Sequence, residues 1–260
     1  MKKFAVFGNP ISHSISPRLH NLAIKELSLD AFYGRVLLDD GLNLKEKFNL
    51  LNLNGANITV PFKEDALNAC DYLDEGVKVI GSLNTIVKKD GKIYGYNTDA
   101  PGFLKAIKEF GNIKSALIIG AGGTAKALSY ALKDLNLDIV NRSDKRAANF
   151  KDFNFYTWKN FTPKGYDLVV NSTSAGLKDE ELPMPKEVLE ATLKSSKFAF
   201  DVIYGKETPF LSLAKSLNLK TKDGLDMLIF QAVVALNLFY DKKLDENKIE
   251  VSMKKAANLR

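Results

Sequence analysis

Cysteine and long apolar runs are the scarcest features of this sequence. Cys70 is the single cysteine among 260 residues, so no disulfide can form within the chain, and this usage is typical of a reduced, cytoplasmic protein. No window approaches the roughly 18 consecutive apolar residues that a membrane-spanning helix needs, and the start of the chain lacks the basic and apolar segments of a signal peptide. These absences predict a cytoplasmic location and no membrane partner.

Histidine is almost as scarce, since the sequence contains only His13 and His20, and neither has an acidic residue or a cysteine at metal-ligand spacing. We therefore expect no bound metal, and we expect both imidazoles to be local hydrogen-bond partners. The 37 lysines and arginines exceed the 31 acidic residues and give a net charge of +6, but they are scattered among acids rather than gathered in a stripe. This distribution suits a small anionic ligand and argues against a nucleic-acid partner.

Hydrophobic runs alternate with helix-like segments, which is typical of an α/β protein, and 45% hydrophobic residues are enough for the cores of two modest domains. We place the domain boundary near Asp99. Asp90-Gly91 favours a tight hairpin. Before the boundary, the pattern predicts strands at 2–8, 31–38, 56–60, 84–89 and 92–97 and helices at 17–28, 43–51 and 61–69. After it, the pattern predicts a helix at 99–110, a strand–turn–helix–strand segment at 114–143, strands at 166–172 and 197–204, and a buried helix at 225–240.

A glycine turn inside the segment 114–143 is the clearest local motif. It follows a strand and begins a helix, which is the context that the G-x-G-x-x-G/A dinucleotide fingerprint requires. The glycines allow the backbone to approach a pyrophosphate at the helix N-terminus. The residues of this motif are Gly120, Ala121, Gly122, Gly123, Thr124 and Ala125.

The end of the following strand distinguishes between the two nicotinamide dinucleotides. An acidic residue there would bind the ribose 2′-hydroxyl of NAD, but the strand ends in Asn141, Arg142 and Ser143, with Arg146 close behind. A guanidinium can bind a 2′-phosphate in a bidentate manner. The sequence therefore favours NADP, although these charges also fit an ordinary solvated helix start.

Lys63 stands at an unusual position for a cation. Asn57 and Thr59 alternate with apolar residues and so share one face of the predicted strand 56–60, and Pro61 then begins a predicted helix. The helix dipole disfavours a cation in the first turn, and a lysine with a depressed pKa can act as a general base. Taken alone, an exposed lysine that extends into water explains the same residue.

Short polar residues also gather at other predicted element ends. Asp99 is either a helix N-cap or a functional carboxylate, and one oxygen is enough to cap, so the two roles are compatible. Asn84 has turn chemistry as its simpler explanation. Ser14 and Ser16 would point the same way in an extended segment, and Ser16 also suits the N-cap of the helix that follows. Together these groups suit a polyhydroxylated, carboxylated small molecule.

These motifs resemble the shikimate dehydrogenase family from near residue 4 to at least residue 240. Several of them are specific to that family, and the glycine turn alone is generic. In chain order they are GNPISHSISPRLHN, NITVPFK, GSLNT, GYNTD, GAGGTAKA, NRS, NSTSAG, DVIY and GLDMLIFQA.

The resemblance implies a two-domain α/β protein. A substrate domain with a mixed, mainly parallel sheet would comprise 1–99 and 225–260, and a Rossmann-like NADP-binding domain would comprise 100–224, with the C-terminal helices returning to the substrate domain. The implied activity is the reversible, NADPH-dependent reduction of 3-dehydroshikimate to shikimate by a monomer or homodimer.

The resemblance also implies roles for single residues. The lysine–aspartate catalytic pair of the family matches Lys63 and Asp99, and its two substrate-binding serines match Ser14 and Ser16. Lys63 and Asp99 also touch the substrate in the family, and Asn57 lies beside the contacts. The other implied substrate contacts are Thr59, Asn84, Tyr204 and Gln231. The implied cofactor contacts are residues 120–125 together with Asn141, Arg142, Ser143, Arg146 and Gly224.

Three rival functions remain at this point. An NAD-dependent quinate/shikimate dehydrogenase would carry an acid where Asn141 and Arg142 stand. A sensor that binds shikimate-like ligands without turnover would have lost Lys63 or Asp99, which are both present. A dehydrogenase that handles folate or amino acids is disfavoured by the paired serines and GYNTD, through resemblance alone.

Overall fold

The computed structural model describes residues 1–259, which divide into two compact units. Unit 1 comprises Met1–Gly102 and the residues from Leu228 onwards, and unit 2 comprises Phe103–Met227. The boundaries therefore fall at 102 and 227, whereas the sequence predicts them at 99 and 224. Within residues 1–259, no helix has the length and apolar character needed to cross a membrane.

Unit 1 contains a six-stranded mixed sheet with the strand order β2-β1-β3-β5-β6-β4. The pairs β1–β2, β1–β3 and β4–β6 are parallel, and the pairs β3–β5 and β5–β6 are antiparallel. The strands are β1 (Lys2–Gly8), β2 (Ala31–Leu37), β3 (Gly55–Ile58), β4 (Tyr72–Leu73), β5 (Thr85–Lys89) and β6 (Lys92–Tyr96). The helices are α1 (Ser16–Glu26), α2 (Leu44–Leu50), α3 (Glu75–Ile80), α4 (Asp99–Ile107), which continues into unit 2, and, after unit 2, the end of α8 (Leu225–Phe239) and all of α9 (Glu246–Ala257).

The predicted hairpin is present between β5 and β6. Asp90 and Gly91 have φ angles of 48° and 74°, as the two central residues of a type I′ turn require. Lys89 and Lys92 pair on either side of the turn. The local sequence decides this connection, because asparagine, aspartate and glycine reach positive φ at the lowest steric cost.

The strand β1 is buried on both faces, as an interior parallel strand must be. Phe7 packs into a core with Phe48 of α2 on one face. On the other face, Phe4 stacks on Phe239 of α8 with a centroid distance of 4.5 Å. A Cβ on Gly55 would lie 2.5 Å from the Phe239 ring, so this glycine makes room for the C-terminal helix.

The second C-terminal helix also packs on unit 1. Lys255 of α9 forms an ion pair of 2.6 Å with Glu26 of α1, and Arg18 donates hydrogen bonds to the carbonyl oxygens of Ala257 and Leu259. The return of both C-terminal helices to the first unit agrees with the prediction.

Unit 2 contains a six-stranded, fully parallel sheet with the order β12-β11-β10-β7-β8-β9. The strand order reverses between β7 and β10, which is the switch point where doubly wound sheets bind ligands. The strands are β7 (Ser115–Ile119), β8 (Asn136–Asn141), β9 (Asn154–Thr157), β10 (Leu168–Asn171), β11 (Phe198–Asp201) and β12 (Lys220–Lys222), and the helices are α5 (Gly123–Ala131), α6 (Lys186–Lys194) and α7 (Pro209–Ser216). The predicted α/β class, with one mixed and one Rossmann-like sheet, is confirmed.

His20 of α1 corrects one expectation. Its ring stacks on Tyr33 of β2 with a centroid distance of 4.0 Å and lies near Phe239, but neither ring nitrogen has a hydrogen-bond partner. It is therefore an aromatic core residue rather than a local hydrogen-bond partner. Burial lowers the pKa of His20 from 6.5 to about 3.

This pKa shift predicts that acid destabilises the protein. The unfolded chain binds a proton at His20 below pH 6.5, whereas the folded chain resists protonation down to about pH 3, so stability is fully present above pH 6.5 and is lost as the pH falls through this window. His20→Phe keeps the stack but cannot bind a proton. Between pH 8 and 5, urea titrations should show that this variant loses about 2 kcal/mol less unfolding free energy than the unchanged protein. The exposed His13→Phe is the control, and equal losses in all three proteins would contradict the assignment.

Candidate active site

Lys63 and Asp99 form a largely buried ion pair in unit 1. The Lys63 Nζ lies 2.6 Å from the Asp99 Oδ2, and the two side chains are 13% and 7% exposed. The two residues are 36 positions apart in the sequence, so the tertiary fold brings them into contact. An ammonium group and a carboxylate at this distance, close to the protein surface, can hold or transfer a proton.

The predicted helix at 61–69 is wrong, and the first-turn argument for Lys63 is therefore wrong as well. Residues 61–64 form turns, and a short 3-10 helix covers Asp65–Ala69. The reason lies in the tertiary contacts: Phe62 is drawn into the core, and the Lys63 carbonyl accepts a hydrogen bond from the Leu83 amide, so it is not used within a helix. These two anchors hold the lysine backbone at the sheet edge.

Asp99 is the first residue of α4, but it does not cap that helix. The Asn97 side chain accepts hydrogen bonds from the backbone amides of Asp99 and Ala100 at 3.1 and 3.3 Å. Because Asn97 supplies the cap, the Asp99 carboxylate turns to Lys63 with one oxygen and to Asn84 with the other.

Asn84 is the centre of the polar network around Asp99. Its side-chain amide donates to Asp99 Oδ1 at 2.8 Å and to the Thr98 hydroxyl oxygen at 2.9 Å, and its oxygen accepts from the Thr98 backbone amide at 2.7 Å. The Gln231 oxygen lies 3.3 Å from the same Asn84 nitrogen. Because Asn84 is only 3% exposed and has this many hydrogen-bond partners, it is not a simple turn former, and its side chain is held against Asp99.

Gln231 reaches this network from α8 because the helix α4 allows a close approach. A Cβ on Gly102 would lie 2.7 Å from the Gln231 backbone nitrogen, so no larger residue fits there. The Gln231 side chain donates to the Leu228 carbonyl at 2.9 Å, which leaves its oxygen to accept from Asn84 and Thr98.

A second layer of buried hydrogen bonds lies behind Asn84. Asn57 donates to the Thr85 hydroxyl at 3.0 Å and accepts from the Tyr33 hydroxyl at 2.7 Å. Sequence reasoning missed Tyr33, for which the local pattern offers no signal. Thr85 and Thr98 belong to the GSLNT and GYNTD motifs of the sequence, but only the structure shows that their hydroxyls take part in this network.

Ser14 and Ser16 contact each other, but not in the predicted geometry. Ile15 has φ −90° and ψ 0°, so the segment is not extended, and Ser16 is the first helical residue rather than the N-cap. The Ser14 hydroxyl accepts the Ser16 backbone amide at 3.3 Å. The Arg35 guanidinium donates two hydrogen bonds to the Ser14 carbonyl, at 2.6 and 2.9 Å, which holds this turn in place.

Thr59 lies just beyond the end of β3 and is partly exposed. A Cβ on Gly8 would lie 2.5 Å from the Thr59 methyl group, so the threonine packs over the end of β1. Its backbone amide donates to the Phe7 carbonyl at 2.9 Å. The side chain is thus placed beside the segment that leads to Ser14.

The predicted glycine turn lies in unit 2, between β7 and α5. Gly120 has φ +110°, and a Cβ there would lie 2.8 Å from the Ser172 hydroxyl oxygen. At Gly122 a Cβ would meet no atom within 4 Å, so the backbone there is open to a ligand. Gly123 begins α5, whose N-terminal amides favour an anion. A glycine-rich turn at a helix N-terminus, with open backbone at Gly122, fits the pyrophosphate of a dinucleotide.

Basic residues lie at the adjoining end of β8. The Arg146 guanidinium donates to the Ala121 carbonyl at 3.3 Å, which brings a cation to the glycine turn. Asn141 donates to the Ser143 carbonyl at 2.9 Å and shapes the loop that carries the exposed Arg142. These side chains fit a 2′-phosphate and offer no carboxylate to a ribose hydroxyl.

Tyr204 and Gly224 also belong to unit 2, where their segments adjoin. The Gly224 amide donates to the Ile203 carbonyl at 3.0 Å. A Cβ on Gly224 would lie 2.2 Å from the Val202 carbonyl oxygen, so a glycine is required for the two segments to meet.

Comparison with known proteins agrees with this geometry. The family model for the shikimate dehydrogenase substrate binding domain matches residues 6–86. The NADP(+) shikimate dehydrogenase of Helicobacter hepaticus is 47% identical over 254 residues, which cover 95% of this chain and 94% of that protein. This chain belongs to the shikimate dehydrogenase family.

Solved structures of the shikimate dehydrogenase family have the same fold. Shikimate 5-dehydrogenase from Thermus thermophilus, in complex with NADP(H) and shikimate, has a TM-score of 0.83 and 32% identity over 98% of this chain and 100% of that chain. The enzyme from Listeria monocytogenes, in complex with shikimate and NAD, has a TM-score of 0.79 and 27% identity over 96% of each chain. Structures of family members contain either NADP(H) or NAD, so the preference of this chain between the two dinucleotides is read from the residues at the end of β8.

The geometry of the glycine turn predicts that two alanine substitutions affect different properties, one the stability of the fold and the other the binding of NADP. Gly120→Ala should lower the unfolding free energy by about 1–3 kcal/mol, because alanine is strained at φ +110° and its Cβ meets Ser172. Gly122→Ala should change it by less than about 0.5 kcal/mol but weaken NADP binding, because its methyl group occupies the open backbone. Thermal unfolding and NADP titration of both variants provide the measurement, and a larger loss of stability in Gly122→Ala would contradict the assignment.

Proposed function

We propose that this chain catalyses the reversible, NADPH-dependent reduction of 3-dehydroshikimate to shikimate, as an oxidoreductase that acts on a CH-OH group. The observation that carries the proposal is the ion pair of Lys63 and Asp99, which is held by Asn84 in a chain of the shikimate dehydrogenase family. The reaction is a step in the biosynthesis of chorismate and the aromatic amino acids.

Lys63 supplies the acid–base chemistry. When bound, NADPH would supply a hydride to the C3 carbon of the substrate. Lys63 gives a proton to the C3 oxygen, or removes it in the oxidation direction. Asp99 stabilises the charged lysine at 2.6 Å and orients its Nζ. Because Asn84 holds the other Asp99 oxygen, the lysine is positioned before the substrate binds.

The remaining polar groups of unit 1 suit the substituents of the ring. Asn84, Gln231 and Thr59 provide neutral donors and acceptors for its hydroxyl groups, and Lys63 and Asp99 also contact the substrate. Ser14 and Ser16 provide hydroxyls for the ring carboxylate, and Arg35 fixes their turn. Tyr204 is a further substrate contact that the family motif implies.

NADP is the cofactor that the residues of unit 2 favour. The glycine turn from Gly120 to Ala125 would hold the pyrophosphate at the N-terminus of α5. Asn141, Arg142 and Arg146, with the Ser143 hydroxyl beside them, are suited to the 2′-phosphate, and Gly224 lies on the nicotinamide side in the family pattern.

Two further features belong to the proposal. A cytoplasmic location is supported by the single cysteine, Cys70. The small-molecule substrate needs no partner chain for the chemistry described above, and either a monomer or a homodimer fits this proposal.

The proposed activity predicts a rise in the absorbance of the reduced nicotinamide when the protein is mixed with shikimate and NADP. NAD should give a much slower reaction, because no carboxylate stands at Asn141 or Arg142 to bind the ribose hydroxyl. Faster reaction with NAD would support the NAD-dependent quinate/shikimate dehydrogenase instead. Shikimate binding without any reaction would indicate a sensor.

The role of Lys63 predicts that Lys63→Ala lowers kcat by about 10²–10⁴-fold, because general acid–base catalysis contributes on that scale, while shikimate binding weakens far less. Steady-state kinetics and a shikimate titration give both quantities. Lys45→Ala is a matched control, because Lys45 also pairs with an aspartate, Asp71, at 3.1 Å on the surface of the same unit. A kcat for Lys63→Ala within tenfold of that control would exclude Lys63 as the acid–base group.

A further inference from the structure

A buried carboxylate that the proposed mechanism does not use lies at the end of β11. Asp201 is 0% exposed, and the ion pairs of the described residues do not include it. Burial raises the pKa of its carboxyl group. A charge that is buried without a cation is costly unless several hydrogen-bond donors surround it.

Three donors surround Asp201. The Asn171 side-chain nitrogen lies 3.2 and 3.1 Å from its two oxygens, the Ile203 amide donates to Oδ1 at 3.0 Å, and the Thr208 hydroxyl donates to Oδ2 at 2.6 Å. Asn171 and Thr208 are also 0% exposed. Every one of these bonds requires an acceptor at position 201.

The orientation of Asn171 is determined by its other partner. Its oxygen accepts from the Thr173 amide at 3.0 Å and from the Thr173 hydroxyl at 2.8 Å, so its nitrogen must point to Asp201. The Thr208 hydroxyl accepts the Leu211 amide at 3.3 Å as the cap of α7, so its proton is directed to Asp201. An asparagine at 201 would place a donor against these donors, and neither neighbour can reverse without losing a bond.

The segment after Asp201 is the one that carries Tyr204. The Asp201 carboxylate binds the amide of Ile203, directly before Tyr204, and the hydroxyl of Thr208, so it closes the loop 202–208 from both ends. On the far side, the Gly205 amide donates to the Asp223 carboxylate at 3.3 Å. The backbone is therefore held on both sides of Tyr204, by Asp201 at Ile203 and by Asp223 at Gly205.

We propose that Asp201 is a positioning residue for the substrate side of the reaction, which holds the loop 202–208 so that Tyr204 is presented to shikimate. The proposal rests on the proposed function, because it takes the Tyr204 contact from it. Asp201 itself touches neither the substrate nor the cofactor. Within the loop 202–208, Tyr204 is the residue to which the proposed function gives a ligand contact, and that contact is with the substrate. The bonds of Asn171 with Thr173, beside the glycine turn, do not involve Asp201.

Asp201→Asn tests the proposal. We expect the KM for shikimate to rise by about tenfold at saturating NADP while kcat falls by less than about threefold, because a loop contact to the bound ring is lost and the acid–base pair is untouched. The Kd of NADP should stay within about threefold. Hydrogen exchange of the segment 202–208, followed by mass spectrometry, should become faster.

The matched control is Asp138→Asn. Asp138 is a second buried carboxylate in the same sheet and is 3% exposed. It accepts hydrogen bonds from the Tyr166 hydroxyl and the Asn154 amide and, unlike Asp201, pairs with a cation, Lys164, at 2.8 Å. This change should lower stability without raising the KM for shikimate. The proposal is wrong if both variants have the same kinetics, or if Asp201→Asn weakens NADP and shikimate binding to the same extent.

A second pair of variants covers the case in which Asp201→Asn does not fold. Thr208→Val removes the donor to Asp201 and should raise the KM for shikimate. Thr208→Ser keeps the hydroxyl, so its KM for shikimate should equal that of the unchanged protein. Equal KM values for the two would overturn the proposal. If the unchanged protein did not oxidise shikimate at all, the proposed function would fail, and the exchange rates of segment 202–208 would still decide whether Asp201 holds the loop.

Discussion

The ion pair of Lys63 and Asp99 is the interaction on which the arrangement of unit 1 depends. A buried charge pair is stable only if further hydrogen bonds satisfy its remaining lone pairs and protons. Asn84 supplies this bond to Asp99, and its own orientation is set by Thr98. Gln231 and the layer behind Asn84 extend the same network. A continuous set of neutral partners thus holds the two charged groups in place.

The geometry of unit 2 follows from a different constraint, the parallel direction of all its strands. In such a sheet the carboxyl ends of the strands share one edge, so the loops that follow them are neighbours. This edge carries the glycine turn after β7, Arg142 after β8, the loop of Thr173 after β10, and Asp201 after β11. The glycine turn, the basic residues after β8 and the loop of Tyr204 are therefore at one edge because of the sheet, although they are distant in sequence.

Much of this architecture could be predicted from local patterns, because steric and hydrogen-bonding preferences act over a few residues. The hairpin at Asp90-Gly91 and the glycine turn at Gly120 are examples, since both need backbone angles that few residues adopt. The failures came where tertiary contacts overrode local preference. Pro61 begins no α-helix because the Lys63 carbonyl accepts a hydrogen bond from the Leu83 amide. Ser16 is not the N-cap of α1 because Ile15, before it, already has helical backbone angles.

By itself, the sequence determined the α/β class, the site of the dinucleotide turn, the cationic end of β8 and, through its resemblance to a family, the candidate residues. Only the tertiary structure decided that Asp99 leaves its capping role to Asn97, that Gln231 returns to Asn84 across 147 positions, and that Asp201 closes the loop of Tyr204. The physical reason is that side-chain hydrogen bonds depend on distances between segments far apart in the chain, and folding of the whole unit sets those distances.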